Sequence, residues 1–403
     1  MAATQDLRRM NRIWNQLAIA TNWPVLAAVV VLSFMGIVSI YAHEPDADDA
    51  RKQFMFLAMG ITLMFVMQGA SYIHLCRYAW PFYLLSLLLL IYTVMPGVPI
   101  SGFGGVPTVN GAKAWINTVG PFKLQPAELM KVALCAVLAR YLRFRSNYRT
   151  FIGLMAPFLL SAIPLFLILK QPDLGTALVF IPALFAMLFV AGAKIRHLLI
   201  IMGMGTSLGV IAWFAGPQPD LPLLRHLPEL VKGYQRERVH AMFTEDPSVL
   251  RKAGFQQRQA ETAFGSGSLT GRGFMNVPVG KRVPEAHNDM IFALVGEQFG
   301  LLGAAILLIA YLVLFMAGIE IAGSTREPFG RLVAVGIVSL LAGQTFLNLM
   351  VTLKLMPVTG ITLPFVSYGG SSLLASYISA GLLLNIGQNR PLVMARDSFE
   401  FDE

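Results

Sequence analysis

The sequence predicts an all-α protein that crosses a membrane about ten times, with one large loop between the seventh and eighth crossings. Three observations predict it. Hydrophobic residues fill 56% of the 403 positions and charged residues only 13%, too few charges to cover the surface of an ordinary soluble enzyme. Apolar runs recur along almost the whole chain at close to the roughly 20 residues that a bilayer requires. Most of the Lys and Arg falls in short loops between alternate runs, which is how a multi-span protein fixes its orientation.

The runs can be followed in order. Arg8, Arg9 and Arg12 precede the first, 24–42, and an acidic loop with Glu44, Asp46, Asp48 and Asp49 follows it. The first run is of full length and lacks a small-residue cleavage site, so it is expected to stay as a helix. The second run, 53–70, leads to Arg77, and the third, 79–96, leads to a Gly/Pro-rich segment, 97–127, expected to be partly ordered against the bundle. The fourth, 128–142, is short and carries charge, so hydropathy alone supports it least. Arg140, Arg143, Arg145 and Arg149 follow, then the runs 154–170 and 175–192, and Lys194 and Arg196 before 195–214. The eighth run is 289–321, Arg326 and Arg331 lie before the ninth, 332–353, and Arg390 and Arg396 follow the tenth, 371–387.

The basic loops are expected to be cytoplasmic, with both termini inside. One basic segment, 215–288, must then lie outside, and a loop of that length is largely exempt from the charge rule. The chain reads as a single transmembrane domain over 1–403, with a cytoplasmic amino terminus (1–23) and a cytoplasmic tail (388–403). The net charge of +9 does not point to nucleic acid, because no basic run is interleaved with aromatics. Membrane lipids or a pyrophosphate suit the cations of the long loop better. Cys76 and Cys135 show neither metal spacing nor a disulfide framework.

Ionisable residues in or at the mouth of a span are costly and are functional candidates by default. Asp289, beside His287 and Glu285, ends the long loop and opens the eighth run, with Glu297 two turns further on. It reads either as a helix N-cap or as a general base at an external mouth. Metal ligation by Asp289 and His287 is weakly supported, since two ligands are not a site. Glu128 and Lys131 share one helix face, as an internal ion pair or as the lining of a cavity for a charged substrate. Lys170 and Asp173 flank a Pro/Gly turn at the external surface. Prolines and glycines between Met356 and Ser372 imply irregular backbone near membrane depth, tolerated only where protein or a cavity buries it. Amides and hydroxyls freed there, including Ser367 and Ser371, are suited to an anion. The glycine-rich Gly265 to Gly273 matches neither phosphate-loop nor dinucleotide spacing.

Taken in order, these segments resemble the SEDS family of peptidoglycan glycosyltransferases (shape, elongation, division and sporulation; RodA/FtsW). The resemblance is carried by Gly111 to Ile116, Gln125-Pro126-Ala127-Glu128, Gln171 to Thr176, Gly233-Tyr234-Gln235-Arg236, Gly265-Ser266-Gly267, Pro284 to Phe292 and Pro364 to Ser372. Pro357-Val358-Thr359-Gly360 stands where division-type members tend to have Pro-Thr-Lys-Gly, so the chain looks closer to RodA than to FtsW. Ala114, Ala127, Ala260, Ser268, Met350 and Lys354 depart from the usual family pattern.

The resemblance implies polymerisation of lipid II on the outer face of the bacterial cytoplasmic membrane, for elongation and cell shape. Asp289 matches the family's catalytic aspartate. Lys113, Lys131, Arg236 and Arg272 are candidates for phosphate or cavity contacts, with Glu128, Asp173, His287, Ser367 and Ser371 as further substrate-site candidates. No cofactor is implied with certainty; a divalent cation, Mg or Mn, on the pyrophosphate is compatible with the chemistry. A class B penicillin-binding protein, which is a transpeptidase, and other elongation-complex proteins are the implied partners. A flippase for lipid-linked precursors and a non-catalytic scaffold are the alternatives.

Overall fold

A computed structural model of the chain describes residues 22–43, 48–95, 105–108, 113–118, 122–215, 231, 233–244 and 254–388. The arginines expected before the first and after the last span, together with Glu44 and Asp46, lie outside the described residues. Each of the expected spans is a helix: α1 (Trp23–His43), α2 (Asp48–Gly69), α3 (Tyr72–Val94), α4 (Pro126–Arg143), α5 (Met155–Lys170), α6 (Leu174–Ala191), α7 (Ile195–Phe214), α10 (Ile291–Ser324), α11 (Pro328–Thr352) and α12 (Gly370–Gln388). The long loop contributes α8 (Gly233–Phe243) and α9 (Phe255–Ser266), which hydropathy alone could not mark. Among the described residues, nine helices are long and apolar enough to cross a membrane. Only α4 fails that test among the expected spans, because Glu128, Lys131, Arg140 and Arg143 fall within its 18 residues. Fourteen of its residues from Pro126 to Leu142 are nevertheless buried, so it is an internal helix screened from lipid by its neighbours.

The core is built from α11, α12 and α4. The α11 helix packs on α6, α10 and α4, α12 on α2, and α10 on α1. Small residues set these distances, as is usual where no hydrophobic force drives helices together in lipid. A Cβ at Gly60 would come within 2.5 Å of the Tyr377 ring, and one at Gly381 within 2.5 Å of the Met64 carbonyl. By contrast α7 buries only Leu198 and lies at the periphery.

Part of the segment 97–127 is ordered, as expected. Two short antiparallel strands, β1 (Ile116–Asn117) and β2 (Lys123–Leu124), pair Ile116 with Leu124. The Ser371 hydroxyl fastens this hairpin to the bundle: it donates to the Lys123 carbonyl at 2.7 Å and accepts from the Gln125 amide at 3.0 Å.

The eighth crossing is the largest departure from a plain helix. At about 1.5 Å per residue, 34 residues extend to about 51 Å, well beyond a hydrocarbon core of about 30 Å. The excess is resolved by a break at Gly300, whose φ of 63° and ψ of −161° are accessible to glycine. The break opens two helical rungs, between the 297 carbonyl and the 301 amide and between the 298 carbonyl and the 302 amide. The loop after α9 replaces both. Arg272 and Gly273 donate their amides to the Glu297 and Gln298 carbonyls at 2.8 and 3.1 Å. In return the Leu301 and Leu302 amides donate to the Ser268 and Leu269 carbonyls at 3.0 and 3.1 Å. Buried backbone groups must be paired, and here the partner is a loop instead of the next turn. That exchange requires backbone-to-backbone approach, so a Cβ at Gly267 would lie 1.9 Å from the Gly296 carbonyl oxygen, and one at Gly271 2.0 Å from that of Gln298.

Candidate active site

Asp289 sits two residues before α10, and only 7% of it is exposed. The N-cap reading is corrected: Met290 occupies the cap position and no side chain caps this helix. The carboxylate instead accepts a hydrogen bond from Gln256 Nε2 at 2.9 Å, and the same amide donates to the Pro284 carbonyl at 3.0 Å. Asn348 on α11 fixes the Asp289 backbone by donating to its carbonyl at 2.7 Å. Burial pushes the Asp289 carboxyl up to about 7; its own amide lowers it, Glu285 adds to the rise, and Arg238 and Gln256 oppose it. A group titrating there is half ionised near neutral pH, which suits a base that takes and returns a proton.

His287 shares this loop but turns to other partners. Its ring lies 5.5 Å from that of His43 and 5.4 Å from that of Tyr368, and Nε2 is 4.0 Å from the Glu285 carboxylate. The Tyr368 amide donates to the His287 carbonyl at 2.8 Å, tying the loop to the broken segment before α12. Among the described residues, no group of three or more His, Cys, Asp or Glu side chains converges as metal ligands.

Glu128 and Lys131 form a second centre. Their charged atoms are 2.7 Å apart and both residues are buried. Lys131 also donates to Gln344 Oε1 at 2.7 Å, and Gln344 Nε2 donates to the Thr362 carbonyl at 2.9 Å. Thr362 in turn shares a 2.6 Å hydroxyl contact with Ser372. Asp173 caps α6, accepting from the Thr176 amide and hydroxyl at 2.9 and 2.8 Å and from Gln125 Nε2 at 3.3 Å. Burial raises its pKa, opposed by the Thr176 hydrogen bonds, while Glu128 adds to the rise and Lys131 opposes it. Gln125, the residue before α4, links Asp173 to the helix that carries the ion pair.

One face of α11 joins the two centres. Gln344 and Asn348 are four apart, hence stacked on that face. Gln344 links Lys131 to Thr362, and Asn348 links the Asp289 carbonyl to that of Ile361 at 2.7 Å. Both centres therefore hang on adjacent residues of the irregular segment.

The remaining candidates are placed elsewhere. Ser367 Oγ accepts from the Leu363 amide at 2.7 Å, and the Ser367 carbonyl accepts from Gln53 at 3.2 Å. Ser371 holds the β-hairpin as described. Arg236 donates to the Ala215 carbonyl at 2.6 Å. Arg272 donates to Ser266 Oγ at 3.0 Å and lies 3.9 Å from Glu297. Lys113 is exposed at the start of the hairpin segment. Glu297 is fully buried and accepts the amides of Val279 and Gly280 at 2.9 and 2.6 Å, so it organises the loop ahead of Asp289.

Sequence reasoning missed Gln256, Gln344 and Asn348. The last two had a readable signal, amides four apart inside an apolar run. Gln256 had none, because its helix lies in a polar loop where a glutamine is unremarked. Arg238 was also passed over; it donates to the Val358 carbonyl at 2.8 Å and so links α8 to the same irregular segment.

Comparison with known proteins agrees with the resemblance. The family described as "Cell cycle protein" (FtsW/RodA/SpoVE) matches residues 13–391. A probable peptidoglycan glycosyltransferase FtsW of Geobacter metallireducens is 35% identical over 90% of this chain and 93% of its own length. Stage V sporulation protein E of Bacillus subtilis is 34% identical over 90% of this chain, and the peptidoglycan glycosyltransferase MrdB of Escherichia coli 31% over 92%. Among solved structures, a chain of a peptidoglycan synthase complex that coordinates polymerisation and crosslinking superposes with a TM-score of 0.74. It has 32% identity and covers 92% of this chain and 98% of that one. The rod shape determining protein RodA of Thermus thermophilus gives 0.64 at 30% identity, covering 92% and 97%. With a family model matching residues 13–391 and relatives alike along nearly its whole length, the chain belongs to the FtsW/RodA/SpoVE (SEDS) family of peptidoglycan glycosyltransferases.

Proposed function

We propose that this chain polymerises lipid II into glycan strands on the outer face of the bacterial cytoplasmic membrane, with Asp289 as the general base. The observation that carries the reading is a buried carboxylate at a helix mouth, pushed up to about 7 and held by one neutral side-chain donor, Gln256. A sugar hydroxyl is a weak nucleophile, so a base placed against it lowers the barrier. The Asp289 carboxylate takes the proton of the acceptor 4-hydroxyl as its oxygen attacks the anomeric carbon of the donor. The bond from that carbon to the diphosphate breaks with inversion, and undecaprenyl pyrophosphate leaves with the bonding electrons. Cations near the leaving group offset its developing charge; the proposed one is Arg238, which acts on the Asp289 carboxyl and links α8 to the irregular segment.

The elongation role, as in RodA, is favoured by Pro357-Val358-Thr359-Gly360, which lacks the lysine of division-type members. A class B penicillin-binding protein is the proposed partner, supported by the likeness to a synthase complex that joins polymerisation to crosslinking. The proposed orientation puts both termini in the cytoplasm and the 215–288 loop outside, following the loop charges.

The test is polymerisation of lipid II by purified protein with and without its transpeptidase. Polymer from wild type and none from Asp289→Asn is expected. Lack of polymer from wild type under both conditions overturns the enzyme reading. Transfer of a fluorescent lipid II between leaflets of proteoliposomes, with no polymer, would instead favour the flippase.

A further inference from the structure

The reaction centre lies at one end of the helices, and the other end holds a cavity that the reaction does not use. From Pro126, next to the hairpin, α4 runs about 27 Å to Arg143. There Arg143 pairs with Glu327 at 3.0 Å, beside the turn where α10 ends, at the far end of that helix from Asp289. At this end α3, α4 and α5 enclose about 460 Å³, a volume typical of small-molecule sites.

Its lining has two chemical halves. Trp80, Leu159 and Ile163 form apolar walls, and they are 37%, 64% and 41% exposed on the outer surface of the bundle, where acyl chains pack. Arg140 and Arg145 supply the polar half, and no acidic residue lines the cavity. Arg140 Nη1 donates to the carbonyls of Cys76 and Arg77, which fixes its guanidinium across α3 and leaves its other nitrogens without a partner among the described residues. Arg145 makes no hydrogen bond or ion pair among the described residues. Arg143, by contrast, is neutralised by Glu327 and lies over the Phe144 ring. Orienting the protein in the membrane requires basic residues near the surface; it does not require a cavity with uncompensated guanidinium donors at one side and lipid-facing apolar walls at the other.

We propose that this cavity is a binding site for an anionic phospholipid of the leaflet opposite to the reaction. The headgroup phosphate lies between Arg140 and Arg145, and the acyl chains run along Leu159, Ile163 and Trp80. Arginines match a phosphate through planar paired donors, and basic pockets between transmembrane helices are where such headgroups dock. A free phosphate has no use for the apolar walls, and a choline headgroup would bring its own cation against the two guanidinium groups.

The site is tested on the full-length chain, purified, delipidated and examined by native mass spectrometry and thermal melting. Phosphatidylglycerol, phosphatidylcholine and inorganic phosphate are added separately. Retention and a raised melting temperature with phosphatidylglycerol alone are expected. Arg145→Gln removes an exposed, unpartnered side chain, so the fold should tolerate it, and it should weaken retention about tenfold. Leu159→Trp fills the apolar half and keeps both charges, and it should abolish retention. Arg77→Gln, an exposed arginine at the same end that does not line the cavity, should bind as wild type. Equal retention of phosphatidylcholine overturns the proposal, as does displacement by inorganic phosphate at equal concentration. So does wild-type binding by both Arg145→Gln and Leu159→Trp, or an Arg77→Gln loss as large as that of Arg145→Gln.

Discussion

Asp289 carries two consequences of the same burial, one for chemistry and one for stability. An acid whose pKa is about 7 in the fold against an ordinary 3.8 holds its proton more tightly when folded. Its contribution to stability is therefore fully present below about pH 4 and is lost as pH rises through about 7. Asp289→Asn cannot ionise. It should abolish polymerisation, yet melt later than wild type at pH 8 and no later at pH 4, with a gain of up to about 4 kcal/mol. Melting curves at the two pH values check this. The flanking residues tune the same titration. Glu285→Gln removes a neighbour that raises the pKa, so the rising limb of the rate profile should move to lower pH. Gln256→Leu removes a hydrogen bond that lowers it and should move that limb upward. A profile unmoved by either change would mean that Asp289 is not the titrating base.

At the scale of the helix, α4 and α10 make separate demands. The Glu128–Lys131 pair is buried within α4, and losing one partner leaves an uncompensated charge. Lys131→Met should cost roughly 3–5 kcal/mol, whereas exchanging the two charges should retain more folding than either single removal. Expression and melting of the three variants decide it. In α10 the break at Gly300 depends on glycine in the loop that repairs it. Gly271 has φ of 84° and no room for a Cβ, so Gly271→Ala should cost at least about 1–3 kcal/mol and reduce activity through the displaced loop.

These helices also show where the sequence was legible. The spans could be read because lipid imposes a length and an apolar composition on any helix that crosses it. Even α4 emerged, from its place between loops of alternating charge. The break in α10 could not be read, since Gly300 in an apolar run looks like any packing glycine. Its cause lies some thirty residues earlier, in a loop whose glycines match no phosphate or dinucleotide spacing and serve backbone packing. The candidate site was legible at Asp289, through the family resemblance and its position at a span mouth. It was not legible at Gln256, because a hydrogen bond between a loop helix and a span mouth leaves no periodic mark.

For the molecule as a whole, burial is uneven. The α12 helix has 78% of its crossing buried, while α7 has 6% and offers almost all of its surface outward. Orientation is the property on which the proposed chemistry depends most. A single cysteine at Leu269, which is 66% exposed in the long loop, should be labelled by an impermeant maleimide in intact spheroplasts. One at Arg145 should be labelled after permeabilisation only. The reverse pattern would place Asp289 in the cytoplasm and overturn the outer-face reaction.

The exchanged rungs of α10 bear on how the protein is made. In the proposed orientation, residues 291–300 cannot settle as a finished helix end until Ser268, Leu269, Arg272 and Gly273 have crossed the membrane and folded back onto them. The loop is synthesised before α10, so its export must be complete before the helix that follows can take its final shape. Asp289 lies between the two. In that orientation its pocket closes late in biogenesis, and a half-inserted chain carries the proposed base solvated and of ordinary acidity.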